Sequence, residues 1–242
     1  MIFAAGLGTR LMPFTHAMPK ALVPVAGIPM IEILIRNLLK NNISEIIVNV
    51  HHFSDQVIGF LDANNNFGAD ISISNESDLL LDTGGGLKKA SWFFGGNEPF
   101  LVQNVDVISD VNYFEMLERH KSYGALATLA VCRRETSRYL LFKPDFLLCG
   151  WENTKTEEII LVEPEHNNPE KFAFSGIHII DPSIFGYLYQ DGKFSIIDTY
   201  LKLAARFKIC GFEHNPENWV DMGKPDELHK AELLLKKLNY LG

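Results

Sequence analysis

A glycine-rich turn near the start of the chain, followed by two basic side chains, has the residue types that bind phosphates. A short apolar run at residues 2–5 has the length of a buried strand, and it ends in the segment Gly-Leu-Gly-Thr at residues 6–9. Glycines allow a sharp turn that brings backbone N–H groups close to an anion. Arg10 adds a planar cationic fork and Lys20 a mobile point charge. The stretch at residues 6–24 is therefore predicted to hold a polyphosphate.

The spacing of these glycines argues against two other phosphate sites. A dinucleotide-binding turn requires a third glycine at position 11, where this chain has Leu11, and a P-loop requires Gly-Lys-Ser/Thr, which does not occur. The missing third glycine also counts against a dehydrogenase. On the local pattern alone, a tight turn with two incidental basic residues remains the alternative.

The segments after this turn alternate between helix and strand patterns. Apolar residues at helical spacing predict a helix over 29–39, a β-branched run predicts a strand over 45–50, and Ser54 is expected to cap a second helix. Further strands are predicted at 69–74 and 99–103. Such alternation favours a parallel sheet with helices on both faces and ligands bound beyond the carboxyl ends of the strands.

Two segments are expected at that ligand-binding edge. Asn104 and Asp106 directly follow the strand predicted at 99–103. A glycine triplet at residues 84–86 precedes a helix predicted over 87–94, and such a start exposes N–H groups against which a flat base or a phosphate can lie. A flexible loop is the alternative interpretation of the triplet.

The second half of the chain predicts a less regular arrangement. A helix at 111–123 and a strand at 125–131 are followed by short runs that are typical of antiparallel strands separated by polar turns, which predicts a small inserted sheet or lid. These runs lie at residues 139–142, 146–149 and 159–162. Strands at 172–180 and 207–212 and helices from Pro182, over 194–205 and over 225–240 complete the prediction.

Composition limits the function classes. With 242 residues, 47% of them apolar and 21% charged, the chain is expected to form one soluble globular domain, 1–242. A net charge of -8 argues against a nucleic-acid surface. Neither a secretory leader nor an apolar run long enough to span a membrane is recognisable, so a cytoplasmic protein without a membrane partner is expected. The oligomeric state cannot be read from the sequence.

Cysteine and histidine positions do not indicate a metal site. The cysteines, Cys132, Cys149 and Cys210, are widely spaced, are odd in number and form no Cys-x-x-Cys pair, so they are expected to be small core residues. His51 and His52 follow a predicted strand, but no third ligand lies at a suitable spacing, which favours loop histidines.

Three motifs together resemble the signature of the sugar-1-phosphate nucleotidyltransferases. They are Gly-x-Gly-Thr-Arg-Leu from Gly6, Pro19-Lys20-x-Leu22-x-Pro24-Val25, and Trp219-x-Asp221-x-Gly223. The resemblance extends from Ile2 to about Leu238. It implies a Rossmann-like α/β fold of the nucleotide-diphospho-sugar transferase type, with a mostly parallel sheet, helices on both faces and a small antiparallel sugar-binding insertion. The nucleotide-binding half would cover about 1–110 and the sugar-binding half about 111–242.

The resemblance also implies the reaction and the residues that serve it. A nucleoside monophosphate would pass from a nucleoside triphosphate to a sugar 1-phosphate, with release of pyrophosphate. Arg10 and Lys20 would be catalytic, and Asp106 and Asp221 would hold Mg²⁺. Without the family pattern, Asp221 would be read as the cap of the helix that follows it. The implied nucleotide contacts are Ala5, Gly6, Leu7, Gly8, Thr9, Glu76, Thr83, Gly84 and Asn104, and the implied sugar contacts are Ser175, Gly176 and Asp221.

This sequence departs from the family pattern at two positions. Val105 replaces the glycine of the usual Asn-Gly-Asp, which raises the question of the backbone conformation there. The chain reads Glu163-Pro164 where many relatives have Glu-Lys-Pro, whose lysine meets the sugar phosphate, and Arg138 or Lys171 could substitute for it. These departures support a non-catalytic nucleotide-sugar-binding regulatory module as the alternative of a different class.

The substrates are suggested by two segments, the glycine triplet at residues 84–86 and Phe-Ser-Gly at residues 174–176. The form Asp-Thr-Gly-Gly-Gly at residues 82–86 resembles the version in N-acetylmuramate-1-phosphate uridylyltransferases, which favours UTP and N-acetylmuramate 1-phosphate and a place in cell-wall nucleotide-sugar biosynthesis. A mannose- or heptose-1-phosphate guanylyltransferase is the alternative within the family.

Overall fold

The computed structural model describes residues 1–162 and 169–238, which form a ten-stranded sheet flanked by helices and two small two-stranded sheets. The strands are β1 (Ile2–Phe3), β2 (Pro24–Val25), β3 (Ile28–Pro29), β4 (Glu45–Val50), β5 (Asp70–Asn75), β6 (Phe100–Asn104), β7 (Val107–Ser109), β8 (Ala127–Cys132), β9 (Arg138–Phe142), β10 (Leu148–Asn153), β11 (Glu158–Leu161), β12 (Glu170–Ile180), β13 (Ile209–Glu213) and β14 (Trp219–Asp221). The helices are α1 (Met30–Lys40), α2 (Ser54–Ala63), α3 (Asp82–Lys89), α4 (Tyr113–Tyr123), α5 (Ile196–Leu203) and α6 (Pro225–Lys237).

The first half of the chain builds the parallel part of the sheet. Its strand order is β5-β4-β1-β6, and every neighbouring pair in it is parallel. Ile2 in β1 lies opposite Val48 in β4 and Gln103 in β6, so the carboxyl ends of these strands reach the same edge of the sheet. That edge is where ligands bind in open α/β sheets.

The long strand β12 joins this parallel part to the second half. It runs antiparallel to β6 on one side and to β8 on the other, and β13 pairs with β8 in parallel. The first residues of β12 pair instead with β9, which continues into the antiparallel strands β10 and β11. The expected mostly parallel central sheet with a small antiparallel insertion is therefore confirmed.

Apolar side chains cover both faces of the sheet. Ile2 points into a core built with α1, α2 and α6, whereas its neighbour Phe3 points into a second core built with α3 and α5. This alternation is what a strand requires when helices pack on each face. Helices on both faces are thus confirmed. None of the helices that the structure describes combines the length and the apolar character needed to cross a bilayer.

Several element boundaries differ from the predicted ones. Helix α3 begins at Asp82, so the glycine triplet lies inside the helix and not in a loop before it. Phe53, in the left-handed conformation, precedes α2, and Ser54 is its first residue and makes no capping bond. Pro182 begins a 3₁₀ helix, Pro182–Tyr187. The end predicted for the closing helix, at residue 240, lies outside the described residues.

Candidate functional site

A cavity of about 360 Å³ opens at the carboxyl ends of β1, β4, β5 and β6. Eight residues predicted for the site line it, namely Ala5, Gly6, Arg10, Lys20, Glu76, Thr83, Asn104 and Asp106. The other lining residues are Phe3, Asn49, Leu80, Asp82, Val105 and Lys193. The predicted residues Leu7, Gly8, Thr9, Gly84, Ser175, Gly176 and Asp221 do not line this cavity.

The glycine-rich turn is shaped by close packing. Gly8 has a φ of +65°, and a Cβ placed on it would lie 2.7 Å from Thr15 Cγ2 and 3.0 Å from Lys20 Cβ. The Thr15 hydroxyl donates a 2.9 Å hydrogen bond to the carbonyl of Gly8. Within the described chain, the amide N–H groups of residues 6–9 make no hydrogen bond. The turn therefore offers a set of unsatisfied donors, as an anion site requires.

Asn49 and Glu76 form a buried hydrogen-bond network behind this turn. Asn49 Oδ1 accepts bonds from the amides of Ala4 at 2.7 Å and Ala5 at 3.3 Å, and its Nδ2 donates to Glu76 at 2.7 Å. The other oxygen of Glu76 accepts from the Leu81 amide at 3.1 Å. Burial raises the pKa of Glu76, although the bond from Asn49 opposes the shift. Glu76 thus links Asn49 of β4 to the residue before α3, and its contact with the nucleotide stays a prediction.

The glycine triplet packs tightly against protein atoms. A Cβ on Gly84 would meet the ring of Phe194 at 2.3 Å, and one on Gly85 would lie 2.2 Å from the carbonyl oxygen of Gly192. The Gly84 amide also donates a 2.9 Å bond to the Phe194 carbonyl. The expectation that the triplet leaves backbone open for a base or a phosphate is therefore not met. The glycines allow α3 to approach the segment at residues 190–196.

Asp106 and Asp221 approach each other at the rim of the cavity. Asp106 follows β6, Asp221 ends β14, and both carboxyl groups lie beside Gly223. Lys20 forms an ion pair with Asp106, and Arg10 lies 3.5 Å from Asp221. The Gly223 amide donates to Asp221 at 2.8 Å, and a Cβ on Gly223 would lie within 3.0 Å of both carboxylates and 2.7 Å from Arg10.

The two carboxyl groups differ in their affinity for protons. Burial raises the pKa of Asp106, and the charge of Asp221 adds to this against the effect of Lys20. Burial acts in the same direction on Asp221, but hydrogen bonds from Asp106 and the Gly223 amide, with nearby cations, lower its pKa overall. When two carboxyl groups lie this close, one of them favours its protonated form, unless a further cation binds to the pair and offsets the repulsion.

This pair suits a hard divalent cation. In the described part of the chain no group of three or more histidine, cysteine, aspartate or glutamate side chains could hold a metal. Mg²⁺, however, is commonly bound through one or two carboxylates together with the phosphates of a substrate. Asp106 and Asp221 supply those two carboxylates. Asp221 does not cap α6, whose first turn follows Lys224 without a side-chain cap.

A second cavity, of about 570 Å³, lies beside β14 and α6. Asp221, Trp219 and Arg134 line it, and it adjoins the first cavity at the Asp106–Asp221 pair. The guanidinium carbon of Arg134 lies 4.2 Å from the centre of the Trp219 ring. The indole N–H donates to the Ser175 carbonyl at 2.9 Å, which fixes the ring against β12.

Ser175 and Gly176, the predicted sugar contacts, lie behind this surface. Ser175 is fully buried, and its hydroxyl is 2.7 Å from Nε2 of His214, whose pKa is lowered by burial. Gly176 has a φ of +74° where the register of β12 shifts, and a Cβ there would lie 2.7 Å from Asn104 Nδ2. Both residues are placed to position Trp219 and Asn104.

The departures from the family pattern have specific structural settings. Val105 is buried in the first core, and it is not among the residues with positive φ in the described chain, so glycine is not required there. Lys171 forms an ion pair with Glu152 at 2.6 Å, and neither it nor Arg138 lines the first cavity. Residues 163 and 164 lie outside the described chain.

The sequence analysis assigned no role in the site to Asn49, Lys193 or Gly223. Gly223 lies in the Trp-x-Asp-x-Gly motif, so its closeness to Asp221 had a local signal. Asn49 lies in the apolar strand 45–50, where a polar residue indicates a buried hydrogen bond. Lys193 lies on a polar turn, and no local pattern distinguishes it from other lysines.

Comparisons of the sequence with known proteins point to one family. The family model described as nucleotidyl transferase matches residues 1–237. An N-acetylmuramate alpha-1-phosphate uridylyltransferase of Caulobacter vibrioides is 32% identical over 97% of this chain and 96% of its own length. A mannose-1-phosphate guanylyltransferase of Arabidopsis thaliana is 30% identical over 93% of this chain, which spans 61% of that protein.

A structural neighbour has the same fold at lower identity. The structure of HddC from Yersinia pseudotuberculosis, complexed with GMP-PN, matches with a TM-score of 0.73 and 22% identity, covering 96% of each chain. The family expected from the three motifs is therefore confirmed over nearly the whole chain. The chain belongs to the nucleotidyl transferase family, in its group of sugar-1-phosphate nucleotidyltransferases.

Proposed function

We propose that this chain transfers the uridylyl group of UTP to N-acetylmuramate 1-phosphate and releases pyrophosphate, as a Mg²⁺-dependent cytoplasmic enzyme of cell-wall nucleotide-sugar biosynthesis. The observation that carries the proposal is the Asp106–Asp221 pair, which lies where two cavities meet and has Lys20 and Arg10 beside it. A reaction between two phosphate-bearing substrates needs such a junction of charges.

The proposed reaction needs no general base. The phosphate oxygen of the sugar 1-phosphate is already anionic, so it forms a bond to the α-phosphorus of UTP while the bond from that phosphorus to the bridging oxygen of pyrophosphate breaks. The chain must therefore align two anions and offset their repulsion. Bound Mg²⁺, held by Asp106 and Asp221, would supply further positive charge at the α-phosphate.

The basic residues have separate tasks in this proposal. The N–H groups of residues 6–9, together with Arg10, bind the β- and γ-phosphates that leave as pyrophosphate. Lys20, which already neutralises the buried Asp106, lies between the α-phosphate and the attacking phosphate. Thr83 and Asn104 line the same cavity and contact the nucleoside.

The choice of substrates has a narrower basis. The Caulobacter relative, similar over nearly its whole length, and the Asp-Thr-Gly-Gly-Gly segment favour UTP and N-acetylmuramate 1-phosphate. The second candidate pair is GTP with mannose 1-phosphate, which the Arabidopsis relative at 30% identity favours. Heptose 1-phosphate is the other possible sugar substrate for GTP.

The test crosses the four common nucleoside triphosphates with a panel of sugar 1-phosphates that includes N-acetylmuramate, mannose, heptose and glucose 1-phosphate, and measures pyrophosphate. We expect the highest kcat/KM for UTP with N-acetylmuramate 1-phosphate, loss of turnover with EDTA and recovery with Mg²⁺. A higher kcat/KM with GTP and mannose 1-phosphate would replace the proposed substrates. Binding of nucleotide sugars with no pyrophosphate from any pair would favour the regulatory-module alternative.

A further inference from the structure

Lys193 is brought into the first cavity by a segment distant in sequence from the phosphate-binding turn. It lines the cavity together with Arg10, Lys20 and Asp106, and its side chain is exposed there. We infer that Lys193 binds the phosphate of the sugar 1-phosphate and supplies the cation that this chain lacks at Glu163-Pro164. The inference rests on the proposed function, because it names the residue that holds the second substrate.

The backbone beside Lys193 is held rigidly against α3. The amide of Phe194 donates a 3.2 Å bond to the Leu81 carbonyl, and the Phe194 carbonyl accepts from the Gly84 amide at 2.9 Å. The Ile196 amide donates to the Thr83 hydroxyl at 3.0 Å. These contacts fix the position of Lys193 relative to the wall that Thr83 contributes to the cavity.

Lys88 fixes the other end of this segment. Its ammonium group donates to the Gln190 carbonyl at 2.9 Å and pairs with Asp191 at 2.7 Å. Asp191, the acidic residue nearest to Lys193 in sequence, is thereby occupied by another lysine. The turn that carries Lys193 is anchored on both sides, which leaves its side chain as the adjustable part.

Lys193 differs from Arg10 and Lys20 because it has no acidic partner among the described residues. Lys20 is paired with Asp106, and Arg10 lies 3.5 Å from Asp221. Lys193 forms no ion pair within residues 1–162 and 169–238. Asp82 lines the same wall, but its carboxylate accepts a 2.6 Å hydrogen bond from the Thr83 amide. Because Lys193 has no ion pair in the described residues, its charge is available to an incoming anion.

The phosphate of the sugar is the better assignment for this cation. Arg10 and the donors of residues 6–9 come from the end of β1 and suffice for the leaving pyrophosphate. Lys193 enters from the α3 side. Lys171, one of the two candidates considered from the sequence, is engaged by Glu152, and the other, Arg138, does not line the cavity. Lys193 is therefore the basic residue placed to offset the charge of the second anion.

The test compares Lys193→Met with Lys193→Arg and with Lys236→Met, a change of an exposed lysine on α6 that lines neither cavity. For Lys193→Met we expect the KM for the sugar 1-phosphate to rise about tenfold or more, because a hydrogen bond to a charged group is lost. The KM for UTP should change by less than about twofold, Lys193→Arg should recover most of the loss, and Lys236→Met should match the wild type. An unchanged KM for the sugar 1-phosphate, or an equal rise in the KM for UTP, would overturn the inference.

Failure of the proposed function gives a different result. If the wild type releases pyrophosphate and Lys193→Met has wild-type constants, only the role of Lys193 is wrong. If the wild type releases none with any substrate pair, the proposed function fails. In that case calorimetric titration of N-acetylmuramate 1-phosphate decides the matter, since weaker binding to Lys193→Met supports the inference, whereas equal binding or no binding overturns it.

Discussion

The walls of the two cavities are built in different ways. In the first cavity, the buried Asn49 and Glu76 satisfy each other and nearby backbone amides, and the glycine triplet packs directly against Phe194. In the second, the lining comes largely from surface side chains of α6 and from Arg134 stacked on Trp219. A wall made of buried hydrogen bonds and close backbone contacts tolerates few substitutions. A wall of exposed side chains can change at little cost to stability.

The largest effect is expected where the two cavities meet. Asp106→Asn removes one of the two carboxylates that we propose to hold Mg²⁺ at the α-phosphate, so we expect kcat to fall about 10²–10³-fold at saturating substrates. Binding of the sugar 1-phosphate should change little, and the fold should persist. Steady-state kinetics in the presence of Mg²⁺ measures the effect. The control variant is Asp62→Asn, at an exposed residue of α2. Near-normal turnover would remove Asp106 from the site.

Removing a buried hydrogen-bonding side chain from the wall of the first cavity should lower the stability of the protein. Asn49→Ala leaves the amides of Ala4 and Ala5 and one oxygen of Glu76 without a partner, so we expect a loss of about 2–4 kcal/mol in the free energy of unfolding. Urea denaturation measures it. Asn41→Ala, at the exposed end of α1, removes a surface bond and should cost less than about 0.5 kcal/mol. Equal losses in the two variants would contradict the contrast between the walls.

A smaller effect is expected from the backbone that holds the carboxylate pair. In Gly223→Ala the new methyl group would lie 2.6 Å from Asp221 Oδ1 and 2.7 Å from Arg10, so those groups must shift. We expect kcat/KM to fall about 10–100-fold, because small displacements of reacting groups are costly. Gly186→Ala has open space and serves as the control. If both variants keep wild-type kinetics, the fit around Gly223 is not needed for activity.

The smallest effect is expected in the second cavity. Trp219→Phe keeps an aromatic ring beneath Arg134 but loses the donor to the Ser175 carbonyl, worth about 1 kcal/mol. We expect the KM for the sugar 1-phosphate to rise about fivefold with the KM for UTP unchanged. Trp92→Phe, at an exposed residue, is the matched control. A rise confined to the KM for UTP would assign this cavity to the nucleotide.

Much of the fold could be predicted because its signals are local. The helix of residues 30–40 and the strand of residues 45–50 have their own apolar periodicity, and their alternation implies a parallel sheet. The antiparallel course of β12 between β6 and β8 had no such signal, since strand direction depends on pairing between distant segments. The extent of α3 was missed because glycines are poor helix formers, and packing against Phe194 outweighs that preference.

The sequence by itself determined the residues that meet at the carboxylate pair. Arg10, Lys20, Asp106 and Asp221 each lie in a short local segment that was compared with the family pattern, and the resemblance implied their roles. The tertiary structure alone decided how the walls are built and that Lys193 enters the first cavity. The bond from the Ile196 amide to Thr83 joins residues 113 positions apart. Such a contact depends on how the sheet brings distant segments together, and no spacing along the chain encodes it.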